Sequence, residues 1–255
     1  KKVKNLLKKK QIYLKIISNK KKIEKNIQGE ARKIRYELLS NFCLKNNTRS
    51  LITAHNLEDQ VETFLIRLSR GSGLRGLSAM RPKSKINSKI DLYRPLLDTK
   101  KEFLIKISKK TFGNFIKDPS NKNLKYLRTK VRRLKKPLEQ SGVEYEQIFK
   151  SISNLSESRD SLDDFLKKEF SKIIKKKNNE ILINLKKFKN YNNEIKMAII
   201  NVSIKKLQKN YYDPRAKKVT NLIRAVDTEG FKKSTLGGCI FFKKGDNLCL
   251  KNEKL

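Results

Sequence analysis

The sequence predicts an α/β protein: a parallel sheet flanked by helices over the first half, then a mainly helical second domain closed by a β-hairpin. Three observations predict it. Up to about Pro137, short apolar runs alternate with 3.6-period apolar stripes, the pattern of parallel strands joined by crossover helices. Beyond Pro137, where Ser141-Gly142 interrupts the chain, the pattern is mostly helical as far as Arg224. The end of the chain alternates around Lys244-Gly245-Asp246-Asn247, a hairpin signature. The expected domains are therefore 1–138 and 139–255, and no internal repeat is visible.

The elements follow in order. A helix is expected from about Asn26 to Leu44, with Ile27, Ala31, Ile34 and Leu38 as its apolar stripe. Leu51 to Ala54 is short, apolar and partly β-branched, hence a strand. Asn56 is a candidate N-cap for a helix reaching about Ser69, with Asp59 and Gln60 in its first turn and Val61, Phe64, Leu65 and Leu68 facing a core. A polar loop from Ser84 to Lys89 leads to a strand at Ile90–Tyr93. Thr99-x-x-Glu102 then reads as a capping box opening a helix that turns Phe103, Leu104 and Ile107 inward. In the second half, Ile195, Ala198, Ile199 and Val202, then Val219, Leu222 and Ile223, mark two helices. Thr235 to Phe242 and Leu248-Cys249-Leu250 form the hairpin strands.

Chemistry is concentrated around the chain's one histidine. His55, Glu58, Asp59 and Glu62 fall within eight positions of a chain holding only 25 acids against 63 Lys plus Arg. On a helix Asp59 and Glu62 are three apart, and Glu58 and Glu62 four apart, so each pair can share a face. Acids in a first turn also simply answer the helix dipole, and both readings stay open from spacing alone. Arg70-Gly71-Ser72-Gly73 comes next, offering backbone N–H groups beside a guanidinium. That suits a phosphate or carboxylate, and equally a glycine C-cap.

The net charge of +38 points to a polyanionic partner such as RNA, bound through counterion release; a lysine-rich genome would account for part of the excess. Lys8-Lys9-Lys10, Lys20-Lys21-Lys22 and Lys175-Lys176-Lys177 read as solvated faces. Cys43, Cys239 and Cys249 form no Cys-x-x-Cys pair and there is no second histidine, so neither a metal site nor a disulfide framework is supported. No apolar run approaches a membrane span and nothing at Lys1 resembles a signal peptide, which makes a reducing cytoplasm the expected setting.

The run Ala54-His55-Asn56-Leu57-Glu58-Asp59-Gln60-Val61-Glu62-Thr63, with Arg70-Gly71-Ser72-Gly73 and Gly76-Leu77-Ser78-Ala79-Met80, closely resembles the tRNA(Ile)-lysidine synthetase family. Upstream, Gln28-Gly29-Glu30-Ala31-Arg32-Lys33-Ile34-Arg35-Tyr36 is similar to a family helix. Downstream, Arg94-Pro95-Leu96-Leu97 and Asp118-Pro119-Ser120-Asn121, with Tyr126, Arg128 and Arg132, resemble later blocks in the right order. Fainter likeness continues through Tyr212, Pro214-Arg215 and Leu236-Gly237-Gly238, implying a tRNA-contacting second domain. Glu58 stands where the family commonly has Asp, and Ile116-Lys117 where it often has an aromatic and an acid.

The resemblance implies a Rossmann-like PP-loop domain. It also implies an ATP-dependent ligase that joins free lysine to the wobble cytidine of an isoleucine tRNA with a CAU anticodon, by way of an adenylated base. ATP and Mg2+ are the implied cofactors; tRNA and free lysine are the implied partners, with a homodimer as a compatible assembly. The family's catalytic residues fall on Arg35, Asp59, Glu62 and Arg128. In that reading Asp59 and Glu62 position and deprotonate the lysine amine, and Arg35 and Arg128 orient phosphate. His55, Arg70, Gly71, Ser72, Gly73 and Arg132 are the expected substrate or nucleotide contacts. The family's Ser-Gly-Gly-x-Asp-Ser loop is absent from these 255 residues, and Lys1 to Leu7 resembles the family's helix and strand after that loop. The chain is thus expected to be a fragment, lacking its first strand, loop and helix and unable by itself to turn over ATP. Two other readings compete: a tRNA thiolase of the same superfamily, and a noncatalytic tRNA-binding remnant.

Overall fold

The computed structural model describes residues 2–19, 23, 27–116, 123, 125–177, 179–208 and 214–253. Asn26, Asp118-Pro119-Ser120-Asn121 and Tyr212, singled out above, lie outside the described residues, as do Lys20-Lys21-Lys22 and Lys117. The chain divides into two compact units, one of residues 1–70 and 76–156, the other of residues 71–75 and 157–255.

The first unit contains α1 (Lys2–Lys8), α2 (Ile27–Lys45), β1 (Ser50–Ile52) and α3 (Leu57–Leu68). After the short helix α4 (Leu74–Leu77), whose last two residues belong to this unit, come β2 (Lys83–Lys85), β3 (Asp91–Tyr93) and α5 (Lys101–Phe112). α6 (Leu127–Arg133), α7 (Lys135–Gln140) and the start of α8 (Tyr145–Ile173), as far as Ser156, complete it. Its sheet runs β1-β3-β2, with β1 and β3 parallel and β2 and β3 antiparallel. β2 arises inside the segment expected as polar loop. Lys83-Ser84-Lys85 has no apolar residue to announce a strand, and pairs through its backbone alone. Its core gathers Leu57, Val61, Ala79, Tyr145, Ile148 and Ile152, with Phe64 and Leu65 packed against it.

α5 departs from its expected start. Thr99 turns its hydroxyl to Asp98, no side chain of its own caps the helix, and Glu58 of α3 instead accepts a 2.9 Å hydrogen bond from the Lys101 N–H. The capping box fails because a carboxylate from another helix already satisfies that end. Phe103 and Ile107 are exposed, at 57% and 46%, and only Leu104 is half-buried, because nothing among the described residues packs over that face. Leu68, at the C-terminal end of α3, is likewise exposed.

The second unit takes α8 onward: β4 (Ile174–Lys177), β5 (Glu180–Asn184), α9 (Leu185–Lys189), α10 (Asn193–Leu207), α11 (Ala216–Asp227), β6 (Lys233–Leu236), β7 (Cys239–Lys244) and β8 (Asn247–Asn252). The expected hairpin about Gly245 is β7–β8, and it sits within a five-stranded antiparallel sheet ordered β4-β5-β8-β7-β6. One face of that sheet is apolar. Ile181 pairs with Leu250 and Ile183 with Leu248, Phe241 lies across from Leu250, and all five are fully buried. Each contributes about 1.5–3 kcal/mol by leaving water. Ala198 and Ile199 of α10 and Val219, Leu222, Ile223 and Val226 of α11 join the same core, as their helical stripes require.

The stretch expected as one strand from Thr235 to Phe242 is two. Gly237 and Gly238, at φ +61° and +73°, form the two-residue turn between β6 and β7. Gly238 also accepts a 2.7 Å hydrogen bond from Gln208 at its carbonyl, and a Cβ there would meet the Gln208 amide nitrogen at 2.9 Å. Gly238→Ala is therefore expected to destabilise the second unit by about 1–2 kcal/mol, from left-handed strain and a displaced Gln208. Thermal unfolding of the variant checks this, and an unchanged midpoint would contradict the turn.

Candidate active site at the carboxyl edge of β1 and β3

The parallel pair β1 and β3 ends together. Thr53 N–H donates to the Tyr93 carbonyl at 2.9 Å, so His55 and Arg94 leave the sheet at the same carboxyl edge, where α/β folds place their ligands. α3 starts there because Asn56 and Asp59 form a reciprocal capping box. Asn56 Oδ1 accepts from the Asp59 N–H at 3.0 Å, and Asp59 Oδ2 accepts from the Asn56 N–H at 3.1 Å. The cap aims the first two turns of α3 across the edge.

Successive side chains of α3 then fix different neighbours. Glu58 reaches the start of α5 and lies 3.6 Å from the Lys135 ammonium. Gln60 pairs in both directions with the backbone of Met80, at 2.9 and 2.8 Å. Arg67 donates to the Gly76 and Ala79 carbonyls, holding the turn in which Ala79 adopts φ +49°. This explains the Gly-Leu-x-x-Met block: its backbone is bound by α3.

Glu62, 2% exposed, faces α6. Its Oε1 accepts a 2.5 Å hydrogen bond from Arg132 Nε, and its Oε2 lies 2.9 Å from Arg128 Nε. That second approach is an ion pair without hydrogen-bond alignment, and Glu62 Oε2 and Arg128 Nε, both buried, have no hydrogen-bond partner among the described residues. Arg128 donates to Thr63 at 3.1 Å, and Asp59 Oδ1 stands 3.9 Å from Arg128 and 3.7 Å from Arg132. Two carboxylates thus face two guanidinium groups. Burial raises the Glu62 carboxyl above its ordinary range, against the opposing hydrogen bond and charge of Arg132 and the charge of Arg128. Arg132, which burial alone would lower, is raised by its bond to Glu62. The charges of Glu62 and Asp59 add to that rise.

His55 is half-buried, with Nδ1 2.9 Å from the Thr53 hydroxyl. Burial lowers its pKa, Asp59 opposes this, and Arg94, Arg32 and Arg128 add to the lowering. Arg94 is buried, donates to the Arg81 carbonyl and the Ser84 hydroxyl, and is itself lowered by burial. His55, Asp59, Arg94, Arg32 and Arg128 therefore share one electrostatic environment.

Of the residues expected from sequence, Asp59, Glu62, Arg128, Arg132 and His55 lie at this edge. Arg35 is exposed on α2 and makes no ion pair or hydrogen bond with the cluster among the described residues; the α2 arginine whose charge reaches His55 is Arg32, stacked 5.1 Å over Tyr36. Arg70 is exposed in the first unit, while Gly71, Ser72 and Gly73 belong to the second. Gly71 is left-handed at φ +64°, and a Cβ on Gly73 would stand 3.9 Å from the Glu194 carboxylate. Sequence reasoning quoted Arg94 only within a family block and did not name it as a site residue, although its place just after β3, beside His55 after β1, was a usable signal. It also missed Thr63 and Tyr145, which carry no charge to mark them. Cys43, Cys239 and Cys249 are free and buried, and burial raises the thiols of Cys239 and Cys249. No cluster of three potential metal ligands forms among the described residues. No helix among them is long and apolar enough to cross a membrane.

A PP-loop domain model matches residues 1–138. The chain is similar to the tRNA(Ile)-lysidine synthase of Wolbachia pipientis wMel, 34% identical over 92% of this chain and 54% of that protein. It is 32% identical to the tRNA(Ile)-lysidine synthase of Wolbachia sp. subsp. Brugia malayi, over 91% of this chain and 54% of the relative. With the tRNA(Ile)-lysidine synthase of Orientia tsutsugamushi it shares 46% identity over 46% of this chain and 26% of the relative. The chain spans about half the length of the first two of these curated relatives.

This geometry has two measurable outcomes. The single imidazole gives one resolvable proton NMR titration, expected to have its midpoint below the ordinary 6.5. Because the folded state resists protonation while the unfolded state does not, stability falls as pH drops from 6.5 toward the folded midpoint; His55→Gln removes that slope, and a midpoint above 6.5 would contradict the site. Arg132→Met leaves the Glu62 carboxylate without its aligned donor and is expected to cost about 2–4 kcal/mol in denaturant unfolding. A loss under about 0.5 kcal/mol would mean that the pair is a surface contact.

Proposed function

The chain belongs to the PP-loop family, and on that footing we propose that it is part of an ATP-dependent ligase that joins lysine to the wobble cytidine of an isoleucine tRNA bearing CAU. The observation that carries this reading is the facing of Asp59 and Glu62 with Arg128 and Arg132 at the carboxyl edge of β1 and β3. The similarity to tRNA(Ile)-lysidine synthases over nine-tenths of the chain supports it.

The chemistry needs two kinds of group. Cationic donors orient ATP phosphates while the base is adenylated at carbon 2 and pyrophosphate leaves. Anionic groups then hold the lysine ammonium and take its proton, so that the neutral amine displaces AMP. Glu62, raised by burial, is suited to accept that proton; Asp59 has Oδ1 to offer, since Oδ2 serves the α3 cap. Arg128, about 30% exposed, is the guanidinium placed to exchange Glu62 for a phosphate, while Arg132 keeps the aligned bond to Glu62. Arg35, exposed on α2, joins Arg128 on phosphate, and His55, neutral above its lowered pKa, orients the strand end. Arg70, exposed in the same unit, supplies a further anion contact. Mg2+ would accompany ATP and offset its charge. The described residues gather no ligand set for it, and no step on this chain is assigned to it. The basic second unit supplies counterion-releasing contacts to tRNA.

A thiolase reading fits less well, because all three cysteines are buried. The test is mass spectrometry of nucleosides from isoleucine tRNA incubated with the full-length protein, ATP and lysine. The expected product is a lysine-modified cytidine, lost by about 100-fold or more in Asp59→Asn and Arg128→Ala. Unmodified cytidine with the wild-type protein, or unchanged yield in both variants, would overturn the proposal.

A further inference from the structure

The half-buried Thr63 hydroxyl stands between two helices. It donates to the Asp59 backbone carbonyl at 2.7 Å, the bond a helical threonine makes one turn back, and accepts from Arg128 Nη2 of α6 at 3.1 Å. The first bond sets up the second. With its proton committed along α3, the hydroxyl presents only lone pairs to α6, and the branched side chain is stiff about χ1.

Arg128 is a side chain that needs such a holder. Its backbone is well seated, because Thr129 and Val131 of the same helix are buried. The guanidinium itself is 30% exposed, at the end of a long side chain with many rotamers. Its Nε meets Glu62 Oε2 at 2.9 Å as an ion pair, and its Nη2 lies 3.9 Å from Asp59 Oδ1. Thr63 supplies a directional hydrogen bond where these carboxylates supply charge. A neutral hydroxyl fixes the guanidinium in place without cancelling its positive charge.

We infer that Thr63 is a positioning residue for Arg128, its hydroxyl holding the Nη2 end of the guanidinium while the Nε side exchanges Glu62 for an anionic substrate. This rests on the function proposed above and deepens it. Held at one end, Arg128 turns about a fixed point instead of searching its rotamers, so the donor is already placed when the anion arrives. Thr63 acts on the substrate only through Arg128, and no covalent step is involved.

The contact is testable without turnover. In the 255-residue chain labelled with 13C and 15N at arginine, the Arg128 side-chain signal is assigned by its loss in Arg128→Ala. Thr63→Val keeps the branched shape and removes the acceptor, whereas Thr63→Ser keeps the hydroxyl. The expected result is guanidinium rotation at Arg128 about tenfold faster in Thr63→Val and close to wild type in Thr63→Ser, as loss and retention of one hydrogen bond require. Arg132, whose bond goes to Glu62, is the internal reference and should keep its rate. An Arg128 rate indifferent to Thr63→Val, or Arg128 and Arg132 loosened alike, overturns the inference. Should Thr63→Val fail to fold, Thr63→Ala carries the same expectation. In the full-length protein, Thr63→Val should lower kcat/KM for ATP by about tenfold, and Thr63→Ser should recover most of that loss. In an Arg128→Ala background, Thr63→Val should take away nothing further, because the two residues act as one unit. An equal loss in both backgrounds overturns the inference too. Absence of lysine transfer by the wild type instead defeats the proposed function, and the rotation measurement still decides the contact.

Discussion

The structure of the first unit depends on a carboxylate that is almost fully buried between two guanidinium groups. Glu62 is 2% exposed and stands against Arg132 and Arg128, so α3 and α6 are joined by charge as well as by packing. Burying a carboxylate is costly, and the attraction repays that cost only where geometry is good. Here it is good on one side and poor on the other. One oxygen is aligned with Arg132 and the other meets Arg128 without hydrogen-bond alignment, so the pair is held chiefly through Arg132.

Around that pair, α3 acts as the hub that locates everything else. Its cap fixes where it begins, Glu58 fixes α5, Gln60 and Arg67 fix the turn from Gly76 to Met80, and Val61 enters the core. Few of its side chains serve a single purpose. Asp59 illustrates this: one oxygen closes the capping box and the other faces Arg128 and Arg132, so one residue both caps α3 and faces α6.

In the second unit lysines and apolar residues are separated by strand alternation and helical face. Ile181 and Ile183 of β5 point into the core, while Lys175, Lys176 and Lys177 of β4 stay exposed on an edge strand. Charged edges also discourage strand-to-strand association. Several lysine ammonium groups sit over aromatic rings, as Lys206 Nζ does 3.7 Å from the Phe170 ring centroid, so the basic surface is partly held in place.

Much of this was legible beforehand. Helical period and capping chemistry are local properties, so α3 with its Asn56 cap, the stripes of α10 and α11, and the turn about Gly245 follow from neighbouring residues. Clustering of acids around His55 likewise marked where Asp59 and Glu62 meet the arginines of α6. Other features depended on residues distant in sequence. β2 and β4 hold too few apolar residues to be read as strands, and β5 is too short a run to be told from a helix. The end of α5 is satisfied by Glu58, 43 positions earlier, which no capping rule can anticipate. The sequence alone determined which residues carry charge and which faces are apolar, because those are properties of side chains and their spacing. Only the tertiary structure decided that Arg132 rather than Arg128 holds Glu62 squarely, that the charge of Arg32 reaches His55, and that Tyr145 is buried, its hydroxyl without a hydrogen-bond partner among the described residues, because burial and alignment exist only once separate elements meet.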